Sequence, residues 1–170
     1  MKKLLGILVL GLLICNVGFA AEKVYLSCES IIIKNNSPNP GLKNLPGLKE
    51  GFHNSQFFFQ FKKSKSFKLK VHQQGNGTSE DWKNEKPGLL YKSLKGYYEN
   101  DAYDARAYSG EGDYFFDVYK MFQTDDIWSF KGVSKVDDGN NKIILDIEHG
   151  GKCTKYNKKE FLSLLKKGIQ

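Results

Sequence analysis

Three runs in the second half of the chain, DYFFDVYKMF, IWSFKGVSKV and KIILDIEH, are separated only by TDD and DDGNN. Each run carries the β-branched and aromatic residues of a strand, and each link is made of turn formers. A parallel crossover needs about a dozen residues or more, so links this short force an antiparallel meander. The rest of the chain follows the same pattern. In KVYLSCESIII, Val24, Leu26 and Cys28 share one side of a strand while Tyr25, Ser27 and Glu29 share the other. QFFFQF and SFKLKVHQQ form a hairpin around KKSKS, with Phe67, Leu69 and Val71 inward and Lys68, Lys70 and His72 outward.

GNGT, from Gly75 to Thr78, reads as a turn; SEDWKNEKPG is polar, GLLYKSL is a short strand and GKCTKY another. No helical pattern separates these strands, which excludes a parallel α/β fold. The expected class is mainly β: a small antiparallel β-barrel or a strongly curved meander sheet, closed by one C-terminal helix. That helix is expected over 157–167 in NKKEFLSLLKKG. Asn157 caps it, Glu160 completes a capping box, Gly168 stops it, and Phe161, Leu164 and Leu165 make its apolar face. Two stretches leave alternatives open. Lys34 to Gly51, with three prolines and three glycines, is an irregular loop that is either a lid or slack. KGYYENDAYDARAYSGEGD holds either a strand near Tyr103 to Tyr108 or an ordered loop.

The first twenty residues, MKKLLGILVLGLLICNVGFA, place two lysines before an apolar run and end on small residues at Gly18 and Ala20. This is the pattern of a secretory signal cleaved after about Ala20. The apolar run is too short and too soon interrupted for an anchor, which needs roughly 20 apolar residues. Ile14 before Cys15 is not the small residue a lipoprotein site carries, so Cys15 leaves with the signal. Residues 21–170 then form a single β-rich domain, long enough to bury a core that 9 Tyr and all but one of the chain's 12 Phe can fill. Removal of Lys2 and Lys3 lowers the net charge from +7 to +5. That surface is moderately basic and lacks the dense stripe of a nucleic-acid binder.

Cys28 and Cys153 are an even pair in an exported chain, one in the first strand and one in the last, and a bridge between them would tie the ends together. Neither has the flanks of a thiol nucleophile. His53, His72 and His149 are too scattered for a metal motif and each reads as a surface residue, so no metal or cofactor is expected. DDGNN has its glycine third, not sixth as in an oxygen-ligand calcium loop, and reads as a hairpin turn. Glu99, Asp101, Asp104, Glu111 and Asp113 offer the carboxylates of a hydrolase, without a pairing that spacing reveals. Tyrosines and phenylalanines crowd the segment from Tyr97 to Phe122. Tyr97, Tyr98, Tyr103, Tyr108, Tyr114 and Phe116 are the expected ligand-binding set, each ring offering a flat apolar face and each phenol a polar tip. Lys158, Lys159, Lys166 and Lys167 flank the helix and suit weak contact with an anionic membrane surface.

The signal, the opening VYLSCES and the closing GGKCTKYNKKEF together resemble the small, lysine-rich exported proteins of Pelagibacter-type marine bacteria. The resemblance covers mainly the first 30 and last 20 residues. It implies a periplasmic address and a Cys28–Cys153 disulfide, and no activity. A lipocalin would carry Gly-x-Trp near its first strand, where this chain has VYLSCES, and the loop of C-type lysozyme inhibitors has no close match. The leading expectation is a non-enzymatic periplasmic or secreted module that binds a small molecule or an envelope partner. A carboxylate-dependent hydrolase is one alternative, and an inhibitor or structural envelope protein acting through a basic surface is the other.

Overall fold

The computed structural model describes residues 21–75, 90–109, 115–140 and 142–167. Eight strands follow one another: β1 (Lys23–Asn35), β2 (His53–Lys62), β3 (Ser66–Gly75), β4 (Leu90–Glu99), β5 (Ala102–Ser109), β6 (Phe115–Thr124), β7 (Ile127–Asp137) and β8 (Ile143–Lys155). Each pairs antiparallel with its sequence neighbour, and β1 pairs with β8 to close a barrel. A short helix, α1 (Pro40–Lys43), and a 3-10 turn (Pro46–Leu48) lie between β1 and β2, and a C-terminal helix, α2 (Lys158–Lys167), follows β8. The barrel and its single terminal helix are the architecture read from the meander pattern. The first twenty residues, residues 76–78 of GNGT, SEDWKNEKPG and the stop expected at Gly168 lie outside the described residues, while Gly75 ends β3.

The barrel has two unlike rims. At one, the connections are the short turns Lys63–Lys65, Asn100–Asp101 and Asp125–Asp126. Asn100 (φ 48°) and Asp101 (φ 59°) both adopt the left-handed conformation of a two-residue hairpin turn whose twist matches its strands. That turn resolves the ambiguous tyrosine-rich segment as the strand β5. At the other rim stand Asn35, His53, Gly75, Leu90, Ser109, Phe115, Asp137 and Ile143.

Inside, the short-turn half is dry and aromatic. Phe61 packs against Phe67, Tyr103 and Trp128 with ring centroids 4.9–5.8 Å apart, and Phe57, Phe59, Tyr119 and Phe130 form the next layer. Val24, Leu26 and Cys28 face this core as the alternation requires, and so do Phe67, Leu69 and Val71. Lysine 63 closes the rim: its ammonium lies 5.4 Å from the Trp128 ring and pairs with Glu22, which Lys155 also holds. Hydrogen bonds from Lys155 and Lys63 keep the Glu22 carboxyl below its usual pKa.

KIILDIEH and GKCTKY are not two strands but one, and the glycine pair between them explains why. A Cβ on Gly150 would stand 2.5 Å from the Phe130 carbonyl oxygen, and one on Gly151 would overlap the Glu29 carbonyl. The two glycines let β8 run unbroken between β7 and β1 at a separation no side chain permits. Cys28 and Cys153 are direct register partners across this seam, their Cα atoms 4.0 Å apart, and they form a disulfide.

The segment after β1 is tied down rather than slack. Asn36 N–H donates to the Asp146 carbonyl (2.8 Å), Asp146 N–H to Ser37 Oγ (3.1 Å), Asn35 Nδ2 to the Leu48 carbonyl (3.0 Å) and Gly51 N–H to the Ile32 carbonyl (2.8 Å). Helix α2 is capped by Asn157, whose Oδ1 accepts from Glu160 N–H at 3.0 Å. It lies outside the barrel. Phe161, at 0 % exposure, inserts between outward-facing Tyr25 and Phe58 at 5.3 and 6.0 Å, with Leu164 and Leu165 beside them.

Candidate functional site: the polar half of the barrel

Inward positions toward the second rim carry Ser30, Ser55, Gln73, Asp117, Ser134 and His149 instead of aromatic rings. Four of them make one chain. His149 is paired in register with Gly132 on β7, where a Cβ would lie 2.5 Å from its Cε1 and 2.6 Å from its Nε2. Glycine at 132 therefore makes the space into which the imidazole turns. The ring stacks on Phe57 at 5.2 Å with an 18° interplanar angle and has Phe130 at its edge, 5.8 Å away.

Its nitrogens are bridged by two hydroxyls: Ser30 Oγ lies 3.3 Å from Nδ1, and Ser134 Oγ lies 3.3 Å from Nε2. Ser134 also donates to Asp117 Oδ1 at 2.7 Å, and Asp117 is its register partner on β6. The direction of the chain follows. Ser134 has one proton and gives it to the carboxylate, so toward His149 it accepts, which places the imidazole proton on Nε2. Nδ1, on the other side of the ring, shares a hydrogen bond with the Ser30 hydroxyl. A hydrogen-bonded relay thus runs from Ser30 through His149 and Ser134 to Asp117. Exposures of 0 % for Ser30, 3 % for His149 and 4 % for Asp117 put it in a water-poor setting where each hydrogen bond is strengthened. Nearby, Gln73 Nε2 donates to Ser55 Oγ at 3.1 Å. Tyr119 lies on the same inward face of β6 as Asp117, and burial, reinforced by the Asp117 charge, pushes its phenol pKa upward. It stays protonated.

In a serine-hydrolase triad the carboxylate holds the imidazole directly and the nucleophilic hydroxyl is presented to substrate. Here Ser134 stands between the carboxylate and the ring, and Ser30 is fully enclosed. The hydroxyls, imidazole and carboxylate of this chain hydrogen-bond one another.

Of the six aromatic residues singled out in the sequence, the four whose side chains are described, Tyr97, Tyr98, Tyr103 and Phe116, do not share one surface. Tyr103 points into the core against Phe61, Phe67 and Trp128. Burial raises its phenol pKa, with smaller contributions from Tyr98 and Glu22. Tyr98, 42 % exposed, covers Tyr103 at 4.7 Å beside the short-turn rim. Tyr97, 54 % exposed, and Phe116, half-buried, lie on outward positions of β4 and β6. The Tyr108 backbone pairs with Phe116, while the Tyr108 side chain and Tyr114 lie outside the described residues. Strand alternation alone separates them, because Tyr97 and Phe116 have the opposite parity to the core positions of their strands.

Of the acidic set, Glu99 ends β4. Asp104 is taken up outside the barrel by Arg106 (3.2 Å) and Lys120 (3.5 Å), Asp101 sits in the turn, and Glu111 and Asp113 lie outside the described residues. Among the described residues no group of three His, Cys, Asp or Glu side chains gathers to hold a metal.

The surface placement expected for His149 is corrected by its burial. The signal that identifies it was present in the sequence: in KIILDIEH, Leu145, Ile147 and His149 share one parity, so the histidine continues the inward face. Ser134 likewise continues Phe130, and Asp117 continues Tyr119 and Met121. His53 is exposed at the start of β2, and His72 is half-buried on an outward position of β3. No family model, curated protein or solved structure matches this chain.

Proposed function

We propose that the chain is an exported, non-enzymatic binding domain that receives a small polar molecule in the polar half of its barrel. The observation that carries this reading is the buried Ser30–His149–Ser134–Asp117 relay on inward positions. Polar groups placed inside a barrel cost free energy that an apolar filling would avoid. The interior of an eight-stranded barrel is wide enough for side chains or one small ligand. The dry aromatic half supplies the stability, which leaves the other half available to specify a guest. Aromatic faces of Phe57 and Tyr119 flank the polar groups, the usual combination in a ligand pocket. The leader-like first twenty residues and the disulfide support a periplasmic or secreted address.

Native mass spectrometry of the protein purified from its source envelope fraction tests the reading. A co-purifying small molecule that is retained by Tyr97→Ala and lost from Ser134→Ala is expected, with both variants folded by circular dichroism. A bare mass from that source, or a guest lost only from Tyr97→Ala, refutes the interior as the site.

A further inference from the structure

The outer wall across β1 to β4 has a charge arrangement that the barrel's stability does not call for. Lys23 on β1 is the direct register partner of Lys62 on β2, and Lys68 on β3 is the direct partner of Lys95 on β4. Like charges placed directly opposite across an antiparallel pair are destabilising. The two pairs lie on neighbouring strands, and Lys70 is the next outward position after Lys68 on β3, opposite Gln60. Among the described residues none of these five lysines has a carboxylate within 4.0 Å, and Glu22, next in sequence to Lys23, is already held by Lys63 and Lys155. Lys23, Lys62, Lys68 and Lys70 instead line a cleft of about 270 Å³, whose other polar walls are Gln60, Ser64 and Ser66.

We infer that this cleft is a binding site for a compact, multiply charged anion of the phosphate or pyrophosphate class, carried on a soluble molecule. The residue types select the class. Lysine ammonium groups are compact, strongly hydrated point charges, without the planar fork by which arginine matches a carboxylate in bidentate fashion. Four of them lining one cleft beside Gln60 and Ser66 match a tetrahedral oxyanion whose charge is spread over several oxygens. The concavity selects the source, because a recess of this size encloses a single anionic group, whereas a bilayer presents an extended flat surface. Tyr97 lies opposite Ser66 in register, at the cleft's edge, and its exposed ring offers a platform for whatever carries the anion. Bound anion would relieve both like-charge pairs at once. This site lies on the outside of the barrel and does not depend on the interior reading.

The test is calorimetric titration of the full folded chain with sodium pyrophosphate, alongside sedimentation with vesicles of phosphatidylglycerol and phosphatidylcholine. Saturable pyrophosphate binding is expected, weakened about tenfold or more in Lys62→Gln/Lys68→Gln and left within about twofold by Lys131→Gln on the exposed face of β7. The double variant should melt at or above the wild-type temperature, since each substitution removes one member of a repelling pair. Absence of pyrophosphate binding, equal weakening by Lys131→Gln, or binding confined to the vesicles overturns the proposal. A double variant that melts well below wild type also counts against it, because the lysines would then be stabilising the wall.

Discussion

Replacing both bridged cysteines with alanine, as Cys28→Ala/Cys153→Ala, should cost about 5 kcal/mol of stability. The figure follows from the loop the bridge closes, with a sequence separation of 125. In the chain-entropy model a cross-link of that span removes this much freedom from the unfolded ensemble. The folded side of the balance changes little. β1 and β8 remain paired by backbone from Leu26↔Lys155 to Asn35↔Ile147, so the barrel still closes. Two small side chains at the seam lose only a modest amount of buried area. The perturbation therefore acts on the unfolded state.

Equilibrium urea unfolding, followed by far-ultraviolet circular dichroism, reads the loss directly, and the variant's native spectrum should match the parent's. Its urea dependence should be steeper, since the unbridged chain exposes more surface when it unfolds. A thermal midpoint lower by about 10–20 °C is the corresponding shift for a domain of this size. A difference below about 1 kcal/mol with an unchanged urea slope, or both thiols open to alkylation in the native protein, would refute the reasoning.

Phe161→Ala empties the only fully buried side chain of α2 and should cost about 3 kcal/mol by chemical denaturation. A loss below about 1 kcal/mol would show that the helix contributes little to holding the barrel. Gly132→Ala drives a methyl group into the His149 ring and should destabilise by about 1–3 kcal/mol while displacing the imidazole resonances in a nuclear magnetic resonance spectrum. Unmoved resonances would contradict the ring's placement. Glu22→Gln should lower the melting temperature slightly near neutrality and have no effect in strong acid. The folded-state pKa of Glu22 is lowered, so its contribution is present above the unfolded value and is lost as pH falls through the folded one. The carboxylate is about half exposed, which keeps the effect small, and a pH-independent difference would be inconsistent with it.

Most of the barrel was legible because short links and two-residue periodicity leave few topologies open. The pattern of Val24, Leu26 and Cys28, and of Phe67, Leu69 and Val71, identifies core positions without reference to distant parts of the chain. What it does not reveal is why a strand continues through Gly150 and Gly151, since a glycine pair reads as a break until the neighbouring strands are in place. The site was harder for a related reason. Aromatic density from Tyr97 to Phe122 is a local property of the sequence, whereas sharing a cavity depends on parity and on which strands adjoin. His149 is too far from the other histidines to carry a metal spacing, and only the parity it shares with Leu145 and Ile147 marks it as inward. Its partners Ser30, Asp117 and Ser134 lie on three other strands and meet it only on closure of the barrel. The lysines of the outer wall are visible in the sequence, but their direct opposition is a property of register.

The division of the interior along the barrel axis also shapes how the molecule breathes. Because neighbouring strands run in opposite directions, the dry half contains the end of β2, the start of β3, the end of β4 and the start of β5. Opening fluctuations cost most where buried apolar contacts are densest. Slow amide hydrogen exchange should therefore cluster around each short turn and fade away from it on both sides, tracing a sawtooth along the sequence. The polar half would then open to solvent while the aromatic half stays closed, which under the proposed binding role would admit a guest without unfolding the barrel.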